Sequence, residues 1–508
     1  MTDTDNIPQY PLIINGERCE PHDGEYMDVV NPASGQVIAR AAMGGNADLD
    51  DAVDAARAAF NNRQWRRMPP AERSILLYRC AQLIMANAQE LIALEVSASG
   101  GTTTRISSLD IPAMCDLFMV LAEEVKDYPF VENLPPRILP EMCHTQVWKQ
   151  PIGVCGLITA WNFPLLLFVL KAAPALAAGN TIVVKPSEST PTSTIRLVEI
   201  LQEILPRGVL NVVNGDGPSV GEPMSLHPGI DKVSFTGSTA VGKRVQANCA
   251  ASVKRCTLEL GGKGPAIVLP DADLDMVAQG ALFGVYMNAG QACESGTRLL
   301  VHEDVYDSLL EKLADRSADV IVGDPADPAT GMGPMSSEAH FNKVLEYIDS
   351  AIGEGARVVC GGGQAKVEGC EGGFFVQPTV LADMSNQMKA AREEIFGPVL
   401  AVIKFSTQEE AIALANDTDY GLSAGVWTRD LVTAQQIAAD LNAGSVWIND
   451  WHMMRTDAPF GGFRQSGHGR EFGKYSIDSY VETKAVSMAF ETSPGKKSLH
   501  RIVHTQMA

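Results

Sequence analysis

The sequence predicts an α/β fold with doubly wound parallel sheets, and three observations carry that expectation. From about Ile152 onward, short apolar runs of strand length alternate with longer runs of helical period. The intervening helices are long enough to cross a sheet and return, which makes successive strands parallel. A second alternating series begins after Gly261-Gly262, so one such unit follows another.

The elements follow in order. A hairpin-like stretch occupies Leu12–Arg18, and Ala47–Phe60 carries apolar residues at helical spacing. Pro70 opens an amphipathic pair, Glu72–Asn87 and Gln89–Ser97. Ile152–Thr159 reads as a buried strand, Pro164–Ala178 as a helix ending at Gly179, and Thr181–Lys185 as the next strand. Helix Thr192–Leu205, strands Leu210–Val213 and Lys232–Thr236, and helix Thr239–Ala251 complete the first series. The second runs through strand Ala266–Leu269, helix Leu274–Met287 and strand Arg298–Val301 to strand Ser445–Ile448. Gly361-Gly362-Gly363 through Gly373 reads as a loose surface hairpin, and Ser493–Ala508 as a basic tail without apolar period.

Composition bounds the function. The 508 residues suggest about three domains and need no staples. Hydrophobic residues at 45% and charged residues at 20% exclude a disordered or fibrous chain. A net charge of −21 without a local basic patch argues against nucleic acid. The longest apolar stretch, Leu165 to Gly179, is interrupted by Lys171 and Pro174 and is too short to span a bilayer. The acidic N-terminus lacks the pattern of a secretory signal, so a cytoplasmic location is expected. The ten cysteines and nine histidines show neither zinc-ligand spacing nor H-E-x-x-H, so no metal site is expected.

Five windows carry possible chemistry. Cys293 closes Asn288-Ala289-Gly290-Gln291-Ala292, in a loop between helix and strand where a nucleophile can be presented or an inert thiol buried. Glu259 lies between two leucines before Gly261-Gly262-Lys263, desolvated enough for a general base, or else a salt-bridged or capping residue. Asn162, between Trp161 and Phe163-Pro164, can donate to an oxyanion or simply cap a helix. Lys185 and Glu188 follow a strand where a ribose would lie. Gly237 and Ser238 open a helix, where free N–H groups suit a pyrophosphate, although Gly237 to Gly242 is not G-x-G-x-x-G.

The order and wording of these windows resemble the aldehyde dehydrogenase superfamily over nearly the whole chain. Ile14-Asn15-Gly16, Val30-Asn31-Pro32, Glu393–Val399 and Pro459–Gly467 extend the resemblance, which runs to Tyr480–Lys484. It implies an NAD-dependent oxidation of an aldehyde to the acid. In that scheme Cys293 is the nucleophile, Asn162 and the Cys293 N–H hold the oxyanion, and Glu259 deprotonates the hydrolytic water. Trp161, Lys185, Glu188, Gly237, Ser238, Glu394 and Phe396 would bind the cofactor. A carboxylate at Glu188 would repel a 2′-phosphate, which favours NAD over NADP.

By the same resemblance, Phe163, Leu167, Leu170, Trp451 and Phe460 would wall the substrate tunnel, with Met453 and Met454 as further candidates. These side chains suit an apolar aliphatic or aromatic aldehyde. Were Arg455 to face the tunnel, a semialdehyde acid would be the alternative, and a CoA-acylating enzyme a second. The presence of Glu259 favours hydrolysis over transfer to CoA. Four positions depart from the commonest wording: Ala160, Ala292, Glu294 and Arg464. A carboxylate at Glu294 would raise the thiol pKa if it pointed inward, and it is expected to point away. The implied fold has a Rossmann-like NAD-binding domain (1–130 and 152–260), a catalytic domain (261–462), and an oligomerisation arm with C-terminal tail (131–151 and 478–508). Edge pairing by Cys143–Lys149 would build a homodimer or homotetramer.

Overall fold

The computed structural model describes residues 7–137, 142–493 and 496–503. The acidic opening residues and the last five residues of the tail lie outside the described residues; Ser498–Ile502 forms a short 3-10 turn.

Two mixed sheets organise the chain. In the first, five parallel strands stand in the order Arg255–Glu259, Lys232–Thr236, Val154–Ile158, Thr181–Lys185 and Leu210–Val212. The earliest of these in the chain sits in the middle, with later strands added on both sides. That reversal leaves a crevice at the strands' carboxyl ends, the place where open α/β sheets take ligands. The hairpin of Leu12–Ile14 and Glu17–Cys19 flanks one edge, its turn made by Asn15 and Gly16 at φ 53° and 77°. Gly467–His468, arriving from the far end of the chain, pairs antiparallel with Arg255–Glu259 at the other edge.

The second sheet has six parallel strands in the order Thr379–Ala382, Val399–Phe405, Arg298–His302, Pro265–Val268, Ser423–Trp427 and Ser445–Ile448. Arg357–Cys360 joins its edge antiparallel. The expectation of doubly wound parallel sheets is met, with antiparallel strands confined to the edges.

The helix Pro164–Ala178 shows why local pattern and burial agree. Pro164 at its first turn forfeits no hydrogen bond, and Gly179 at φ 93° closes it. Every one of its residues is buried, which its uniformly apolar sequence permits. A fully buried leucine such as Leu165 or Leu176 contributes about 2 kcal/mol. Its one cation, Lys171, is fully buried and paired with Glu471. An unpaired charge there would be strongly destabilising.

Several boundaries move. The helix from Thr192 ends at Leu201 and continues to Leu205 only as turns. The segment Ile106–Asp110, which the periodicity does not single out, forms a π-helical turn leading into helix Ile111–Asp127. The glycine-rich hairpin is pinned rather than loose: Gln364 bridges Val376, and Cys370 and Phe375 pack on Ala33.

The arm also corrects an expectation. Cys143–Pro151 is the middle strand of a three-stranded sheet, paired with Val131–Asn133 on one side and with Val481–Ala489 over nine positions on the other. Its hydrogen-bonding groups are therefore used within the chain. The long open edge is Val481–Ala489, mostly exposed. Among the described residues, no helix is long and apolar enough to cross a membrane, and no group of three metal-ligating side chains is placed to hold an ion.

Candidate active site

Four strand ends and one loop converge on the crevice of the first sheet. After Val154–Ile158 the chain turns through Trp161 and Asn162 into the buried helix. Asn162 is 5% exposed and held from three sides. Its Nδ2 donates to the Gln291 carbonyl oxygen at 2.9 Å, while its own carbonyl accepts from Asn288 Nδ2 at 2.9 Å and Arg105 Nη1 at 3.4 Å. One N–H of the Asn162 amide is thus spent on the loop that carries Cys293, and the other has no partner among the described residues.

That loop is tightly wound. Asn288 and Ala289 both adopt positive φ, 52° and 53°, followed by Gly290 at 72°. Two successive non-glycine residues in this region store strain that the surroundings must hold. Gln291 supplies much of that hold: it is 1% exposed, donates to Asn288 O at 2.9 Å and accepts from the Ser336 N–H at 2.8 Å. Cys293 follows, partly exposed to the crevice. A side chain on Gly262 would strike the Cys293 carbonyl oxygen, and one on Gly261 the Glu394 carboxylate, so glycine is required at 262 for the close approach of the Cys293 backbone and at 261 for that of Glu394.

Cys293, Glu259, Asn162, Trp161, Gly237, Ser238, Glu394 and Phe396 all line one cavity of about 250 Å³. A neighbouring cavity of about 280 Å³ shares Trp161, Gly237 and Ser238 and adds Lys185 and Glu188. Every residue expected to be catalytic or to bind the cofactor therefore borders this continuous cleft.

The electrostatics differ along it. At the polar end, Lys185 Nζ donates to Gly215 O and Pro186 O, both at 2.7 Å, with Glu188 Oε2 at 3.4 Å. Ser238 caps helix Thr239–Ala250, accepting from the Val241 N–H, so the positive end of the helix faces the cleft. At the other end, Glu259 is buried with neither carboxylate oxygen hydrogen-bonded among the described residues. Burial, and then Glu471, push its pKa well above the usual carboxylate value, against the pull of Lys171 and Arg470. Glu394 accepts from the Gly262 N–H at 3.0 Å, and burial raises it to about 7. Burial, followed by the charges of Glu294 and Glu259, holds the Cys293 thiol well above its ordinary range.

A family model described as the aldehyde dehydrogenase family matches residues 19–486. The chain belongs to this family. It is 40% identical over 487 residues to retinaldehyde dehydrogenase 3 of Rattus norvegicus, covering 94% of this chain and 93% of that one. It is equally 40% identical to betaine aldehyde dehydrogenase of Bacillus subtilis (strain 168), covering 94% of this chain and 96% of the relative. Among solved structures, the crystal structure of a putative aldehyde dehydrogenase from Burkholderia cenocepacia superposes with a TM-score of 0.93 at 40% identity, covering 96% of this chain and 99% of that one. The NAD+ complex of an aldehyde dehydrogenase from Bacillus cereus gives 0.92 at 40% identity, covering 95% and 97%. The protein is accordingly an oxidoreductase acting on aldehydes.

Within this aldehyde dehydrogenase the tunnel candidates divide. Phe163, Leu167, Leu170 and Phe460 share one apolar cluster with Ala292 and Cys293. Trp451 does not join them. At 2% exposure it packs in the second core, and its indole N–H donates to the Glu294 carbonyl at 3.0 Å, so it supports the loop that carries Cys293 from behind. Met453 and Met454 are exposed. Arg455 is exposed and bound through two nitrogens to Asp457. Glu294 reverses its expectation: it points inward, with Oε2 3.3 Å from Cys293 Sγ.

Sequence reading missed Arg105, Asn288, Gln291, Lys171, Glu471 and His340. His340 donates from Nε2 to Phe396 O at 2.7 Å and packs against Trp161, with burial lowering its pKa to about 4. Asn288 and Gln291 stood inside the quoted loop and could have been found. Lys171 and Glu471 lie 300 positions apart, and no local signal joins them.

Proposed function

We propose that the chain oxidises an apolar aldehyde to its carboxylic acid with NAD, through a covalent intermediate on Cys293. The observation that carries this reading is the single cavity bordered by Cys293, Glu259, Asn162 and Glu394. The cleft fits a dinucleotide on its own chemistry. The buried hydroxyls of Thr159 and Thr236 face it without hydrogen-bond partners, and a helix N-terminus, a lysine and two carboxylates stand where phosphates and riboses need them. Lys185 and Glu188 would hold one ribose, Gly237 and Ser238 the pyrophosphate, Glu394 the other ribose, with Trp161 and Phe396 beside it. The relative solved with NAD+ supports the same cofactor. When bound, the nicotinamide supplies a hydride acceptor.

The chain's own groups do the rest. The Cys293 thiol gives its proton to solvent water, the sulfur bonds to the aldehyde carbon, and the electrons of the opened C=O π bond leave the negative charge on oxygen. The free N–H of Asn162 and the Cys293 N–H stabilise that oxyanion. Departure of the hydride leaves a thioester on sulfur. Glu259, its pKa raised by its surroundings, removes a proton from water in its ionised form, and the water oxygen adds to the thioester carbon; the C–S bond then breaks and the acid leaves. Lys171 and Glu471 lie beside Glu259 to tune it.

A cavity of about 650 Å³ lined by Leu109, Leu282, Phe283 and Met287 reaches Arg105 and Asn288, the residues that hold Asn162. We assign it to approach of the aldehyde. Its lining is largely apolar, although Arg105 and Arg316 also border it with Asp319; the Arg455–Asp457 pair and the inward Glu294 weigh against an acidic substrate. We further divide the chain into the NAD-binding, catalytic and arm domains given above, with the open edge Val481–Ala489 as the strand that joins two copies. Ten cysteines, all free, fit a reducing cytoplasm.

The test is NADH formation on a panel of neutral and ω-carboxylated aldehydes, with C293S beside the wild type. We expect turnover of the neutral aldehydes and none by C293S. Wild-type rates in C293S would overturn the mechanism, and a strong preference for the carboxylated aldehydes would overturn the substrate class.

A further inference from the structure

The thiol of Cys293 has one hydrogen-bond partner among the described residues, and it is Glu294 rather than Glu259. Glu294 is 5% exposed and its backbone is clamped: Ser423 Oγ and Trp451 Nε1 donate to its carbonyl at 2.9 and 3.0 Å. The clamp aims the side chain between two groups. Oε2 meets Cys293 Sγ at 3.3 Å, and Oε1 lies 3.1 Å from His452 Nδ1. His452 is itself buried, packed edge-on against Phe283, and neither ring nitrogen makes an aligned hydrogen bond. It acts on Glu294 as a close polar contact. An ionised carboxylate can only accept, so the thiol is the donor.

We infer that Glu294 is a positioning residue for the nucleophile: its carboxylate accepts the Cys293 S–H and, steadied at its other oxygen by His452, keeps the resting sulfur protonated and oriented. This rests on the reading of Cys293 as the nucleophile. Three carboxylates face the sulfur: Glu294 from its own loop, Glu259 from the end of a strand, and Glu394 from the segment after Lys389–Arg392. Each has its own counter-groups. His452 faces Glu294, Lys171 and Arg470 face Glu259 against the like charge of Glu471, and Lys263 and Lys343 face Glu394; His340 borders the same cavity. Burial works against ionisation of Glu294, but His452 and the Cys293 S–H outweigh it and lower its pKa. A charged acceptor at this distance disfavours the thiolate. Activation must then draw the proton away from Glu294, which separates a quiescent nucleophile from a working one. A thiol held protonated also resists oxidation.

The test is iodoacetamide alkylation of Cys293 across pH in the cofactor-free enzyme, read by peptide mass spectrometry, for wild type, E294Q and E294D. We expect the wild-type midpoint above the ordinary thiol range. E294Q, which keeps an acceptor but loses the charge, should move it down by about one unit, so alkylation at pH 7 is about tenfold faster. E294D should restore the slow reaction. A midpoint in E294Q that is unchanged or higher overturns the proposal. So does a wild-type midpoint at or below the ordinary range, whatever the variants' folding. Aldehyde oxidation surviving in C293S would instead overturn the nucleophile assignment, leaving the alkylation result to stand by itself.

Discussion

Glu259 and Glu294 approach the same thiol from opposite regions of the molecule, and they are not equivalent. Glu259 comes from a strand end of the first sheet and has no hydrogen-bond partner among the described residues; burial and Glu471 raise its pKa. Glu294 comes from the nucleophile's own loop, touches both the sulfur and His452, and is held ionised. Two carboxyl groups in one site thus divide into one whose surroundings raise its pKa and one whose partners lower it. The difference lies in the partners, not in the residue type.

The division breaks most decisively if one carboxylate can replace the other. E259Q should lower the steady-state rate by about a thousandfold, with acyl-enzyme accumulating because water is no longer activated. A modest loss with no acyl-enzyme detected by mass spectrometry would mean that Glu294 serves as base. Next in size, N162A removes the side-chain oxyanion donor common to both halves of the reaction, and kcat should fall by about a hundredfold. A fall confined to KM would show that the amide only positions substrate. The smallest expected effect sharpens the comparison. Lys171 lowers the Glu259 pKa, so K171M should raise it. Glu259 works ionised, and activity therefore climbs as pH rises through its pKa. In K171M that rising limb of the pH–rate profile should move to higher pH, while the alkylation midpoint of Cys293 shifts less. A limb moving to lower pH would contradict the assignment.

Much of the scaffold was legible because the βα period and the glycine stops act locally. Pro164–Ala178 appears with the boundaries its sequence states, and Thr181–Lys185 and Lys232–Thr236 do likewise. The strand-end windows were legible for the same reason, since Asn162, Glu188 and Ser238 need only follow their strands to reach the crevice. Glu294 was not. Which way a side chain leaves a loop depends on backbone angles such as the positive φ of Asn288 and Ala289, and on clamps from Ser423 and Trp451, more than a hundred residues later. Trp451 failed likewise: an aromatic residue reads equally well as tunnel wall or core, and packing against Gly284, Gly296 and Gly425 decided for core. The arm strand Cys143–Pro151 alternates as an edge strand would, but its true neighbours lie at opposite distances along the chain.

The return of the chain's last segment to the first sheet bears on how the enzyme is made. Gly467–His468 completes the sheet beside Glu259, Glu471 pairs with Lys171 in the buried helix, and Val481–Ala489 finishes the arm. Synthesis proceeds from the N-terminus, and domains ordinarily fold as they emerge. Here the first sheet to emerge waits for residues 467–471, about two hundred positions after its last parallel strand. A ribosome-bound chain lacking them carries Cys293 and Glu259 without the strand and the ion pair that set their environment, so chemical competence waits until they have been made.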